Sequence, residues 1–295
     1  MSKSKQIKNN YRSGQSISWK RYIVISVMLA LIIGGVNYYL IGSTDNRNST
    51  AVNIAEILPP KNCVRSEAKP NSFGGWLRNL PLKSPSSRIN LYNGSRKLLQ
   101  FGLYRVIDLD VGNKDLQQCA DVAIRLRSDF LLSQNKINEI AFNFTSGDRA
   151  HYSNWIAGER PVINGNNVTW RKTAQIDSSY ENYQKYLNTV FMYAGSYSLS
   201  RELKRVRTAS NVNIGDCVIK GGFPGHVIIV VDVVNDTVST EKFVMFAQGF
   251  TPAQDIHIIR NLNDSELDPW YRVDVNRKLE TPEWTFEWSD LFTFE

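Results

Sequence analysis

Hydrophobic and polar positions change rhythm along this chain, and each rhythm predicts a different element. Tyr22 to Gly42 is an uninterrupted apolar run whose only strongly polar side chain is Asn37. At a rise of ~1.5 Å per residue it spans roughly 31 Å, the hydrocarbon thickness of a bilayer, which predicts one transmembrane helix. Residues 43–70 read as a polar linker punctuated by Pro59, Pro60 and Pro70. The segment 88–100 brackets Asn93-Gly94 with short apolar stretches, the pattern of a hairpin. Residues 104–111 alternate as a strand. In 115–134, Leu116, Cys119, Ala120, Ala123, Leu126 and Phe130 recur at helical spacing, with Asn113 or Asp115 placed to cap the start. A strand follows at 139–144, then an aromatic, helix-leaning insertion over about 150–208, broken at Ala194-Gly195. From 213 onward the pattern turns to strands: GDCVIKGG, HVIIVVDVV, KFVMFAQGF and DIHIIRN. A helix followed by a run of antiparallel strands predicts an α+β domain over 71–295.

Charge refines the picture at the N-terminus. Lys3, Lys5, Lys8, Arg12, Lys20 and Arg21 precede the apolar run with no acid among them, whereas the segment after it carries one Asp and one Arg. Positive charge stays inside, so the sequence predicts a cytoplasmic tail over 1–21, an anchor over 22–42 in the inner membrane, and an extracytoplasmic domain. The apolar run exceeds a usual signal-peptide core and lacks a clear small-x-small site, which favours a retained anchor over a cleaved leader. No Cys follows it, which argues against a lipoprotein. The formal net charge is +7, and the first 21 residues supply +6 of it. The remainder is near neutral, so charge gives no case for a nucleic-acid partner.

Three cysteines and three histidines limit the chemistry. Cys63, Cys119 and Cys217 allow at most one disulfide, and Cys63 reaches Cys217 only if the linker folds back. There is no HExxH and no paired CxxC, so no zinc site and no cofactor are expected. Cys119 falls in the first turns of the predicted helix, where backbone N–H groups and the helix dipole favour a thiolate. His226 opens an apolar strand straight after Pro224-Gly225, and Gln248 lies on the next strand, placed to orient an imidazole. His257, flanked by Ile256 and Ile258, is the second candidate for a base, while His151 reads as a solvated loop residue. Cys217 reads as core and Asp216 as a turn former. Tyr152, Trp155, Trp170, Tyr180, Tyr183, Tyr186 and Tyr193 could line a glycan groove, but helical spacing of Tyr183, Tyr186 and Val190 favours core packing.

The stretch GDCVIKGGFPGHVIIVVDV (215–233) resembles the paired strands of NlpC-type cell-wall peptidases and amidases, which have a papain-like fold. That resemblance implies a Cys on a helix N-terminus, a His on a strand and a polar residue on the next strand. Cys119, His226 and Gln248 keep that order. Where the family has Asp-Cys-Ser-Gly, this chain has Gln118-Cys119-Ala120-Asp121. By the same likeness Gln118 takes the oxyanion-stabilising part, although its spacing differs. A broader resemblance, through WLRNLPLK, DLQQCAD, AQGFTPAQDIHI, PWY and TPEWTF, is to an uncharacterised bacterial family of envelope proteins with a domain of unknown function.

Together these readings predict a membrane-anchored thiol hydrolase that cleaves amide bonds, in peptidoglycan or another peptide. Cys119 is its nucleophile, His226 its base, Gln248 its orienting group, and Gln118 or the Cys119 N–H its oxyanion donor. The rival is an envelope module without catalysis that binds a peptide or glycan in the same cleft, and a third is a structural partner in an envelope complex.

Overall fold

The computed structural model describes residues 50–294. In chain order the strands are β1 (Cys63–Arg65), β2 (Leu103–Val106), β3 (Ala141–Asn143), β4 (Arg149–His151), β5 (Glu159–Asn164), β6 (Asn167–Lys172), β7 (Lys204–Arg205) and β8 (Cys217–Lys220). They continue with β9 (His226–Asp236), β10 (Lys242–Gln248), β11 (His257–Ile259), β12 (Trp270–Arg272), β13 (Leu279–Glu280), β14 (Thr285–Phe286) and β15 (Leu291–Thr293). The helices are α1 (Phe73–Arg78), α2 (Cys119–Ser133), α3 (Tyr152–Ile156), α4 (Tyr180–Tyr193) and α5 (Ser196–Glu202).

A 9-stranded antiparallel sheet dominates, in the order β2-β11-β10-β9-β8-β15-β7, with β1 added to β9 and β12 to β10. β9 is its spine, and Val227 to Val234 are buried at every position. Such a continuous buried run, apolar but for Asp232, suits a strand covered on both faces rather than one with a wet side. Its residues divide by parity. Val227, Ile229 and Val231 face the larger core cluster, which includes Val122, Ala123 and Leu126 of α2. Ile228 and Val230 face a smaller cluster with Phe286, Trp288 and Leu291 from the C-terminal segment. A bulge passes over Val231, since Met245 pairs with Asp232 and Phe246 with Val230.

Several expectations are overturned. The fold is mostly antiparallel sheet with few helices, and a papain-like architecture is not what the chain shows. Local pattern could not reveal that both ends of the described chain feed this sheet, β1 through Cys63 to Asp236 and β15 through Phe292 to Cys217. The predicted helical insertion is half β. α4 and α5 flank the Ala194-Gly195 break, but residues before them form β4, α3 and the β5–β6 hairpin. The predicted linker is built into the fold from its middle onward, with Ile54 and Ile57 fully buried. The expected spanning helix over 22–42 lies outside the described residues. Among the described residues no helix is long and apolar enough to cross a membrane.

Other local expectations hold. Leu91 N donates to Ser95 O across the Asn93-Gly94 turn, and Gly94 takes φ +80°, which only glycine adopts without strain. The 115–134 helix is α2, starting at Cys119 rather than at Asp115. Its first turn is closed by Asp121, whose Oδ2 accepts from the Gln118 N–H at 3.0 Å.

Candidate functional site

The sequence-predicted residues converge on one end of the sheet, where β9 begins and β10 ends. The β9–β10 ladder runs to Ala247 opposite Ile229. Beyond it the start of α2 moves in against the strands. A Cβ on Gly249 would stand 2.7 Å from Val122 Cγ2 and 3.2 Å from the Gln118 carbonyl oxygen, so glycine is what lets the helix approach. There the backbone N–H of Val227 lies close enough to the Cys119 sulfur to favour its thiolate form.

His226 stands on the other face. It pairs across β8 with Lys220, two residues from the Val218–Ile228 pair of the smaller cluster. Side chains alternate along a strand, so His226 points with Ile228, away from α2. Its ring is enclosed by Phe250 at 5.1 Å, Trp284 at 5.4 Å and Phe286 at 5.9 Å between centroids. Cys119 and His226 are thus brought to the same strand end, the thiol beside the Val227 N–H and the ring turned to the face away from α2, and neither hydrogen-bonds the other among the described contacts.

Gln248 does reach His226: its Oε1 lies 2.8 Å from Nε2 of the imidazole. Behind it is a group of charged residues that the sequence reading missed. The Gln248 amide nitrogen donates to Glu283 Oε2 and lies 3.3 Å from His257 Nε2. Glu283 is ion-paired to Lys97, whose ammonium sits 5.2 Å over the Phe250 ring. The only advance signal was His257, two strand positions from Ile259 and so on the Gln248 side by parity. Glu283 and Lys97 lie far apart in sequence and gave none.

Gln118 does not present a free amide. Its Oε1 accepts from Thr251 Oγ1 at 3.0 Å and its Nε2 donates to Asp115 Oδ1 at 3.3 Å, tying the α2 start to the loop after β10. Asp115 also accepts from the Ala253 N–H at 2.7 Å.

Protonation preferences follow from burial. Desolvation pushes the Cys119 thiol above its ordinary value, outweighing the N–H groups of Val227, Ala120 and Cys119 itself. Desolvation pulls the His226 imidazole down, against the Gln248 bond and the Glu283 charge. It pulls fully buried His257 down to about 4. For Glu283, burial pushes the carboxyl up, but His257, Lys97 and the hydrogen bonds hold it below its usual value. The site at neutral pH therefore holds a thiol, two neutral imidazoles and one ion pair.

The remaining candidates are structural. Cys217 is buried among core residues. Asp216 Oδ2 accepts from the Asn213 N–H at 2.8 Å and shapes the turn into β8. Tyr152, Tyr183 and Tyr186 are core, not groove. His151 ends β4 and lines a cavity of about 330 Å³ with Arg149 and Glu202. All three cysteines are free thiols. Cys63 pairs with Asp236 and Cys217 with Ile229, some seven residues apart along β9, about 23 Å at strand rise, which no disulfide spans. Among the described residues no group of three or more His, Cys, Asp or Glu could hold a metal ion.

Comparison with known proteins adds a family but no chemistry. No curated protein and no solved structure matches the chain, so neither the cysteine-peptidase resemblance nor a hydrolase assignment gains support from a relative. The sequence profile described as Domain of unknown function (4846) matches residues 54–292, most of the chain and nearly all of the described fold, and the chain belongs to that family.

Proposed function

We propose that the sheet end around His226 is a recognition site for a peptide or glycan, and that the chain binds this ligand without cleaving it. One observation carries this reading: the His226 ring points to the face of β9 away from α2 and is hydrogen-bonded to Gln248 rather than to the Cys119 thiol, and both groups are in their neutral form. A thiol nucleophile needs an adjacent base or a lowered pKa; burial raises the Cys119 pKa, and no described hydrogen bond joins its sulfur to a base. What stands at the surface suits binding. Half-buried Phe250 and Trp284 offer flat rings, and the Lys97–Glu283 pair supplies charge beside them, with the Lys97 ammonium over the Phe250 ring. The choice of cell-wall peptides or glycans, met outside the cytoplasm, is supported by the charge asymmetry about residues 22–42 alone.

A second reading is favoured by the Val227 N–H on the Cys119 sulfur. It ties the first turn of α2 to the residue after His226, and catalytic contacts can tighten only when substrate is bound. In that reading Cys119 attacks an amide carbonyl, His226 moves the proton, Gln248 holds the imidazole, and the Cys119 N–H or Gln118 steadies the oxyanion.

The deciding experiment incubates the full chain with purified peptidoglycan and measures both co-sedimentation and released fragments. Retention that falls severalfold in Trp284→Ala, with no fragment released, is the expected result. Fragments that appear with the unaltered chain and vanish with Cys119→Ala overturn it in favour of the hydrolase.

A further inference from the structure

The hydrogen bonds behind His226 form a chain in which every proton has one permitted place. An ionised carboxylate only accepts, so Gln248 must turn its amide nitrogen to Glu283. A backbone carbonyl only accepts, so His257 Nδ1, 3.1 Å from the Asp255 oxygen, carries that ring's proton. His257 Nε2 is then an acceptor, and at 3.3 Å it takes the second N–H of the same Gln248 amide. With both amide hydrogens used, Gln248 has only its oxygen to show His226, and an oxygen at 2.8 Å demands a proton on Nε2. Nδ1 is left with a lone pair and no hydrogen-bond partner among the described residues. Nor is it among the described polar atoms that are both sealed from solvent and unpartnered.

We infer that Glu283, held by Lys97, is a positioning residue of this site: through Gln248 it keeps the His226 proton on Nε2 and leaves Nδ1 as an acceptor for a ligand N–H or O–H. The inference rests on the recognition site proposed above and gives it a polarity. A ligand group that only accepts hydrogen bonds is refused at this point, whereas an amide N–H or a sugar hydroxyl is taken. Glu283 suits the part because Lys97 fixes one of its oxygens and Gln248 the other, and both side chains of the ion pair are mostly buried. His257 supports the same orientation from the opposite side of the amide.

The test is long-range 1H–15N NMR on the full chain labelled at histidine, where three residues give three ring systems. In the unaltered chain His226 should show a protonated Nε2 and a bare Nδ1; a proton on Nδ1 overturns the inference. The double exchange Lys97→Glu with Glu283→Lys keeps an ion pair but puts a donor against Gln248. The amide should then turn over and the His226 proton should move to Nδ1. A proton that stays on Nε2 means Glu283 does not set the tautomer. Should the exchanged chain fail to fold, Glu283→Gln is made in a His257→Phe background, where no second group fixes the Gln248 amide. His257→Phe alone should keep the His226 proton on Nε2, adding Glu283→Gln should bring in the Nδ1–H form, and Nε2–H alone in the double variant overturns the inference. A muropeptide digest added to the unaltered chain should shift the Nδ1 resonance. Binding that leaves Nδ1 unmoved removes its acceptor role. Absence of any binding counts instead against the recognition site, while the tautomer result stands on its own.

Discussion

Gln248 and His257 face each other directly across the β10–β11 ladder, and the Gln248 amide nitrogen lies 3.3 Å from His257 Nε2. Both side chains are essentially sealed from solvent, so each ring and amide atom must find its partner within the protein. That closure makes the group sensitive to protons. A charged His257 would turn an acceptor into a donor against the Gln248 N–H.

The pH dependence follows with a definite sign. An unfolded histidine titrates near 6.5, and folded His257 near 4, so between these values the unfolded chain binds more protons. Stability from this residue is intact above pH 6.5 and is lost as pH falls toward 4. The gap corresponds to about 3 kcal/mol. His226, shifted the same way, adds to the loss, whereas buried Asp121, whose pKa is raised, opposes it. Urea unfolding of the chain and of His257→Gln at pH 7 and pH 4.5 separates these contributions. The drop between the two pH values should be clearly smaller in the variant, and an equal drop in both would refute the assignment.

Much of the strand order near the site was legible because it is local. GDCVIKGG, HVIIVVDVV, KFVMFAQGF and DIHIIRN are successive neighbours in sequence and in the sheet, and His226 bonding Gln248 follows from adjacent strands. The parity of β9 was also there to read: His226 shares its register with Ile228, but which face α2 covers is a tertiary fact. Hence the sequence could bring Cys119 and His226 to one strand end but could not show that the His226 ring turns to the face away from α2. Glu283 and Lys97 were illegible for another reason, since nothing local distinguishes an acid and a base 186 positions apart from any surface pair.

The Cys119 thiol offers a kinetic check on the two functional readings. With its pKa raised by burial, alkylation of the folded chain by iodoacetamide should be slow at pH 7 and should climb only above about pH 9, because the thiolate is the reacting form. His226→Ala should leave that profile unchanged, because His226 is not among the groups that act on the Cys119 thiol. A profile with its midpoint below pH 8, abolished by His226→Ala, would instead establish a thiolate–imidazolium pair.

Asp232 is expected to be one of the most sensitive positions in the fold. Fully buried in β9, it accepts from Arg65 Nε at 2.8 Å and from Arg78 Nε at 2.6 Å. It thereby joins β1 and α1 to the spine of the sheet. Asp232→Asn keeps the shape but leaves two partly buried guanidinium groups without their counter-charge. A loss of about 3 kcal/mol is expected in denaturant unfolding. A loss below about 1 kcal/mol would mean that solvent already screens the pair.

Gly249 tests whether the approach of α2 to the strand end is required. The position has room for a hydrogen and no more, with Val122 and the Gln118 carbonyl closing the space. Gly249→Ala must push the start of α2 outward, and overpacking of this kind costs about 1–3 kcal/mol. The displacement would also lengthen the Val227 N–H contact to Cys119 and the Thr251 contact to Gln118. Hydrogen exchange gives the specific signature: the Val227 amide should speed up in the variant by more than the global loss of stability accounts for, while amides in the middle of β9, such as Val230, speed up only by that global amount. An unchanged Val227 amide beside a destabilised chain would place the strain elsewhere and remove the close packing of α2 as the reason for glycine here.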